Sequence, residues 1–137
     1  MKILAVIVSR ANTNQFIQVL TLLMAAVHGD IAVRVLFRDE SLFRLQPSRI
    51  NALEWSPEYG GDAEALRRRL AKLDLLDLHK LLRDIKASGD VKYYVCSSSL
   101  ALTGLKREDL VEAIDEVRGL PAFLLEDVAD ADHILTF

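Results

Sequence analysis

The chain has one cysteine, Cys96, and three serines follow it at once, Ser97, Ser98 and Ser99. The five residues before it, Val91-Lys92-Tyr93-Tyr94-Val95, have the β-branched and aromatic character of a strand. A thiol at the carboxyl end of a parallel strand lies where open α/β sheets bind their ligands. Backbone N–H groups of a helical turn beginning there would stabilise its thiolate and lower its pKa. Cys96 is therefore a candidate sulfur nucleophile or sulfur carrier. Cysteine is also among the most buried residue types, so a space-filling role stands beside the chemical one. The three serines offer hydroxyl donors to an anion at this point, or simply cap the helix.

Other chemistries lack their residues. One cysteine cannot close an internal disulfide, and a thiol–disulfide oxidoreductase normally has a resolving cysteine that is absent here. A lone thiolate can still hold a persulfide and pass its sulfur to a partner's cysteine. There is no glycine-rich phosphate cradle of either common type. The loop Ser9-Arg10-Ala11-Asn12-Thr13-Asn14 has hydroxyls and amides ahead of a helix, which suits either capping or a flavin or nucleotide phosphate. His28, His79 and His133 have no metal-ligand spacing, and no serine sits in a nucleophile elbow. Asp39 and Glu40 follow the second strand, as in the acidic pocket of a phospho-receiver. The loop after the first strand carries no acid, however, and the third strand ends in Cys96 instead of Asp. Arg10 and Arg38 follow the first two strands and are candidates to hold an anionic substrate, with surface salt bridges as the plainer role. No cofactor and no metal are expected.

The elements that must position these groups read as an α/β alternation. Lys2 to Val8 is apolar after Lys2, as in a central strand covered on both faces. Asn12, with Gln15 three residues on, opens a helix that runs to about His28, where Gly29 stops it. Ile31 to Phe37 is the second strand, so the first forty residues form a right-handed βαβ unit. Residues 39–61 read as an irregular insertion punctuated by Pro47, Pro57, Gly60 and Gly61, with Trp55 and Tyr59 pinning it or serving a function. Asp62 caps a helical stretch to Ser88 that slips phase around Asp74 to Asp77, which predicts two helices. After Cys96 comes a short helix ending at Gly104. Arg107 to Val117 is helical in pattern, with a short strand as the alternative. Pro121 marks the first turn of a last helix, and His133 to Phe137 is a final strand. The expected architecture is one domain, 1–137: a three-layer α/β/α fold with a mainly parallel sheet of about five strands, doubly wound and flavodoxin-like.

Composition narrows the setting. Seventeen basic and twenty acidic residues give a net charge of −3, without the basic excess that general nucleic-acid binding needs. Half the residues are hydrophobic (51%) and mean hydropathy is +0.19, a surplus that points to an oligomer interface. The first helix is apolar nearly all round, which calls for cover from two directions, the sheet and a neighbouring subunit. No stretch approaches a membrane span, and the apolar start is too short for a secretory signal, so the expected location is cytoplasmic.

With Cys96 placed, the chain resembles the DsrE/DsrF-like family, which includes the TusD-type sulfur relay subunits. The resemblance covers most of the length. It is carried by Lys2-Ile3-Leu4-Ala5-Val6-Ile7-Val8-Ser9, by Val91-Lys92-Tyr93-Tyr94-Val95-Cys96-Ser97-Ser98-Ser99-Leu100 with Gly104-Leu105-Lys106-Arg107-Glu108-Asp109-Leu110-Val111, and by Ala129-Asp130-Ala131-Asp132-His133-Ile134-Leu135-Thr136-Phe137. It departs in residues 39–76, which are longer and more charged. The resemblance implies that Cys96 accepts sulfane sulfur and hands it on, in thiolation or sulfur oxidation. It also implies a TusA-like cysteine-bearing carrier or a rhodanese-type donor as partner, and a homo-oligomer built as a trimer or dimer-based hexamer. A non-catalytic interaction subunit and a flavin- or nucleotide-binding module are the alternatives.

Overall fold

The structure, a computed structural model, describes all residues 1–137. Its centre is a five-stranded, all-parallel sheet: β1 (Ile3–Val8), β2 (Ala32–Phe37), β3 (Val91–Cys96), β4 (Glu116–Arg118) and β5 (His133–Thr136). The spatial order is β4-β3-β2-β1-β5. The first four strands step across the sheet in one direction, and β5 returns to the far side of β1. Right-handed crossovers then place the first three connections on one face and the last on the other. The result is the doubly wound, flavodoxin-like α/β/α arrangement that the pattern predicts.

The two faces differ in depth. Leu4, Val6, Val8, Val33, Val35, Phe37, Val91, Tyr93 and Val95 alternate along β1–β3 and face the larger core. That core is completed by α1 (Thr13–His28), by α4 (Leu78–Ser88) and by Leu110, Val111, Ala113 and Ile114. The opposite face is a small cluster of Ala5, Leu36, Tyr94, Cys96 and Phe123. It is covered by α6 (Leu120–Ala122), which runs on as wide π-type turns through Phe123–Val128. Arg118 holds this cover down. Its guanidinium lies 4.2 Å from the Tyr94 ring centroid and bonds the buried Asp127 carboxylate at 2.6 Å.

Local signals set most boundaries. Asn12 accepts from the Gln15 N–H, and Asp62 and Asp77 cap α3 (Ala63–Lys72) and α4 in the same way. The predicted break between those helices is a left-handed turn at Asp74, φ 58°. Two points add to the expected elements. Besides the sheet, α4 covers α1 from within the chain, because the long β2–β3 connection brings that helix alongside. The ambiguous stretch 107–117 holds a short 3-10 turn, Arg107–Asp109, and then β4; its apolar residues pack singly into the core.

Residues 39–61 are organised by a side chain that the sequence pattern did not single out. Arg44, in the short helix α2 (Ser41–Arg44), is fully buried. It donates to the carbonyls of Ala11 (2.6 Å), Arg49 (3.0 Å) and Ala52 (2.5 Å) and to the Glu54 carboxylate (3.1 Å). One guanidinium thus satisfies backbone acceptors from two loops that have no sheet or helix partner. Beyond it, Trp55 and Tyr59 pair with ring centroids 5.1 Å apart, and Trp55 packs against the core. Arg44→Met is expected to lower unfolding free energy by roughly 3 kcal/mol, since the Ala11 carbonyl loses its donor, the Arg49 and Ala52 carbonyls each lose one of two, and the Glu54 ion pair is broken. Urea denaturation measures it, and an effect below about 1 kcal/mol would show that the loops hold themselves.

Candidate active site

Cys96 is at once the last residue of β3 and the residue before α5 (Ser97–Thr103). Its backbone is still extended, φ −70° and ψ 128°, and the chain turns helical directly afterwards. That abrupt change swings the N–H groups of Ser98 and Ser99 back toward the sulfur. The Cys96 Sγ also lies 3.2 Å from the Ser98 Oγ. Burial pushes the thiol pKa up. The Ser98 hydroxyl, the N–H groups of Ser99 and Ser98 and the nearby Arg38 side chain outweigh it, and the value is lowered to about 7.

The sulfur itself is covered. Cys96 is 0% exposed, among Ala5, Leu36, Tyr94 and Phe123. Directly above it, at the carboxyl ends of β1, β2 and β3, is a polar cleft of about 460 Å³ lined by Ser9, Arg38, Asp39, Ser98, Ser99 and Leu102. Ser98 touches both: its exposed side chain borders the cleft and its hydroxyl meets the thiol. Ser98 therefore links the thiol to the cleft.

The other predicted residues divide. Arg38 is half-buried at the cleft and makes no ion pair. Its Nε is buried and has no hydrogen-bond partner, so its charge is available to the thiolate or to an anion in the cleft. Ser99 is buried, and its hydroxyl accepts the Asp39 N–H at 2.8 Å, which ties α5 to the loop after β2. Asp39 holds φ 50° there. Ser97 is exposed and faces the opposite side, near Gly119, where an added Cβ would come within 3.6 Å of its hydroxyl. Arg10 is exposed and does not line the cleft, because the chain turns outward after β1. The polar side chains expected for a flavin or nucleotide phosphate are engaged internally. Asn12 caps α1, Asn14 accepts the Ser56 N–H at 3.0 Å, and Thr13 is buried against Glu54 and Ala52. No group of three or more His, Cys, Asp or Glu side chains is placed to hold a metal ion.

No family model matches the chain, and no curated protein sequence does. Solved structures do share its fold. A conserved protein of unknown function from Bacteroides thetaiotaomicron, BT1422, is 12% identical with a TM-score of 0.62, over 99% of this chain and 95% of that one. A protein of unknown function from Methanobacterium thermoautotrophicum, MTH1491, is 15% identical with a TM-score of 0.52, over 98% and 99%.

The thiolate makes stability depend on pH. Its folded-state pKa lies below the unfolded one, so the stabilisation is complete above the unfolded value near 9.0 and is lost as the pH falls through about 7. Two units amount to roughly 2–3 kcal/mol. The stability of wild type relative to Cys96→Ser should rise by about that much from about pH 6 to about pH 9. A flat difference across that window would mean the thiol stays neutral. Ser98→Ala should move the thiolate midpoint, read by ultraviolet absorbance, upward by about one unit.

Proposed function

We propose that the chain is a sulfur carrier that holds sulfane sulfur as a persulfide on Cys96, as the DsrE/DsrF-like resemblance implies. The observation that carries this reading is the ring of donors around a thiol with a pKa of about 7, beneath a polar cleft at the carboxyl edge of the sheet. A structural cysteine in an apolar core has its pKa raised. Here Ser98, Ser99 and the unpaired Arg38 solvate the anion instead.

The step is a sulfur exchange without net redox. Cys96–S⁻ attacks the outer sulfur of a donor persulfide R–S–SH. The new Cys96–S–SH forms as the donor S–S bond breaks, and R–S⁻ leaves. A thiosulfonate-type sulfur enters in the same way. A partner's thiolate then attacks the outer sulfur, and Cys96–S⁻ is regenerated. Rotation of the Ser98 side chain opens the short path from the cleft to the sulfur. Arg38 holds the anionic donor or the persulfide anion, and Ser99 keeps the loop that carries Arg38 in place. The partner is a small TusA-like cysteine-bearing carrier or a rhodanese-type donor, and the setting is cytoplasmic. No helix is long and apolar enough to cross a membrane.

A second reading draws on one observation. Because Cys96 has no exposed surface, the chain also fits a non-catalytic interaction subunit whose thiol is inert. Incubation with polysulfide and intact mass measurement separates the two. A carrier gains about 32 Da per sulfur on a reactive thiolate, and Cys96→Ser abolishes the gain. If native protein gains no mass with any donor, and a thiol reagent reacts only after denaturation, the interaction subunit is the correct reading. Arg38→Ala should slow persulfide formation roughly tenfold while leaving the fold intact.

A further inference from the structure

The two edges of the sheet are built differently. At one edge β4 is only three residues long, and its Glu116 and Arg118 are charged and paired to each other. Short, charged edges resist pairing with another chain. At the other edge β5 carries His133-Ile134-Leu135-Thr136, followed by Phe137, with no Lys, Arg, Asp, Glu or Pro among them. It pairs only with β1. Ile134 is 42% exposed on one face and Leu135 39% on the other. Beside Leu135 and His133 lies an apolar groove of about 530 Å³ formed with Leu4, Leu22, Ala25 and Ile31. On the other face Leu124 and Leu125 are also exposed. Strand and groove make one apolar margin.

From this margin we infer that β5 is a self-association edge, where a second copy of this chain pairs antiparallel about a two-fold axis through Leu135 and extends the sheet to ten strands. The register follows from the backbone. The Phe137 N–H bonds the Ile7 carbonyl, and the Phe137 carbonyl accepts from Ser9, so Phe137 faces β1. Alternate residues of a parallel edge strand direct both backbone groups outward, which here are Ile134 and Thr136. Pairing Ile134 with Thr136 of the second copy, and the reverse, uses all four outward groups. Leu135 meets its own copy on the axis, on the groove face, and Leu22 and Ala25 of each chain flank it.

Charge supports the same occupant. The acidic end of β5 carries Asp130 and Asp132, and Asp130 is exposed without a partner. Across its other end, beyond β1, stands Arg10, exposed and likewise unpaired. Antiparallel pairing brings each acidic end opposite the other copy's Arg10, two strand spacings or about 10 Å away, within reach of an arginine side chain. Parallel pairing would stack like charges.

Sedimentation and light scattering at about 100 µM protein test this by mass action. The wild type is expected at twice the 15.3 kDa chain mass or an even multiple of it. Leu135→Lys and Thr136→Pro should each halve the particle at unchanged far-ultraviolet circular dichroism, because the Thr136 N–H faces away from β1 and Pro is tolerated on such an edge. A monomeric or odd-numbered wild type overturns the inference, and so does an assembly that both variants leave intact. If either strand variant misfolds, Arg10→Glu decides: it should weaken association roughly tenfold, and unchanged association overturns the inference.

Discussion

All five strands run the same way, so every connection must travel back over one face of the sheet, and the direction of its step decides which. Three steps go one way and one goes back. This single reversal gives the molecule a deep core under α1 and α4 and a shallow one under the helix that begins at Leu120. Cys96 falls on the shallow side because side chains alternate along β3, and Tyr93 and Val95 take the deep side. The consequences reach across the fold. The site has a thin cover, Arg118 and Asp127 clamp that cover, and β5 is left as an open margin.

The site rests on an exchange of solvent. Withdrawing a thiolate from water is costly, and an apolar pocket alone would keep it protonated. Here a strand becomes a helix within one residue, so two N–H groups, one hydroxyl and one unpaired guanidinium stand in for water. The groups that stabilise the anion also form the floor of the cleft. Ser98 belongs to both, bonding the thiol and bordering the cleft.

Some of this was plain in the residues. Strand β3, its terminal cysteine and the short helix after it follow from β-branched and aromatic composition, a serine run and Gly104, all local signals. The break at Asp74 showed as a phase slip in the leucine pattern. Arg44 was not legible, because its partners are carbonyls of Ala11, Arg49 and Ala52, and a carbonyl looks the same in every sequence. Arg38 was visible as a cation beyond β2, but not that it forms no ion pair and keeps a buried Nε without a partner. The apolar first helix announced how much cover it needs. It did not announce that α4 provides it, since composition measures surface to be hidden and carries no address.

The amino-acid order by itself determined the alternation of strand and helix, the caps that start α1, α3 and α4, and the placing of one thiol at a strand end. These depend on neighbours a few residues away, where backbone preference and side-chain spacing act directly. Only the tertiary structure decided that the thiol is covered, that Ser99 braces the β2 loop while Ser97 faces elsewhere, and that one edge of the sheet is guarded and the other bare. Those properties depend on which surfaces meet after the chain has wound across the sheet and back, and distance along the chain does not encode them.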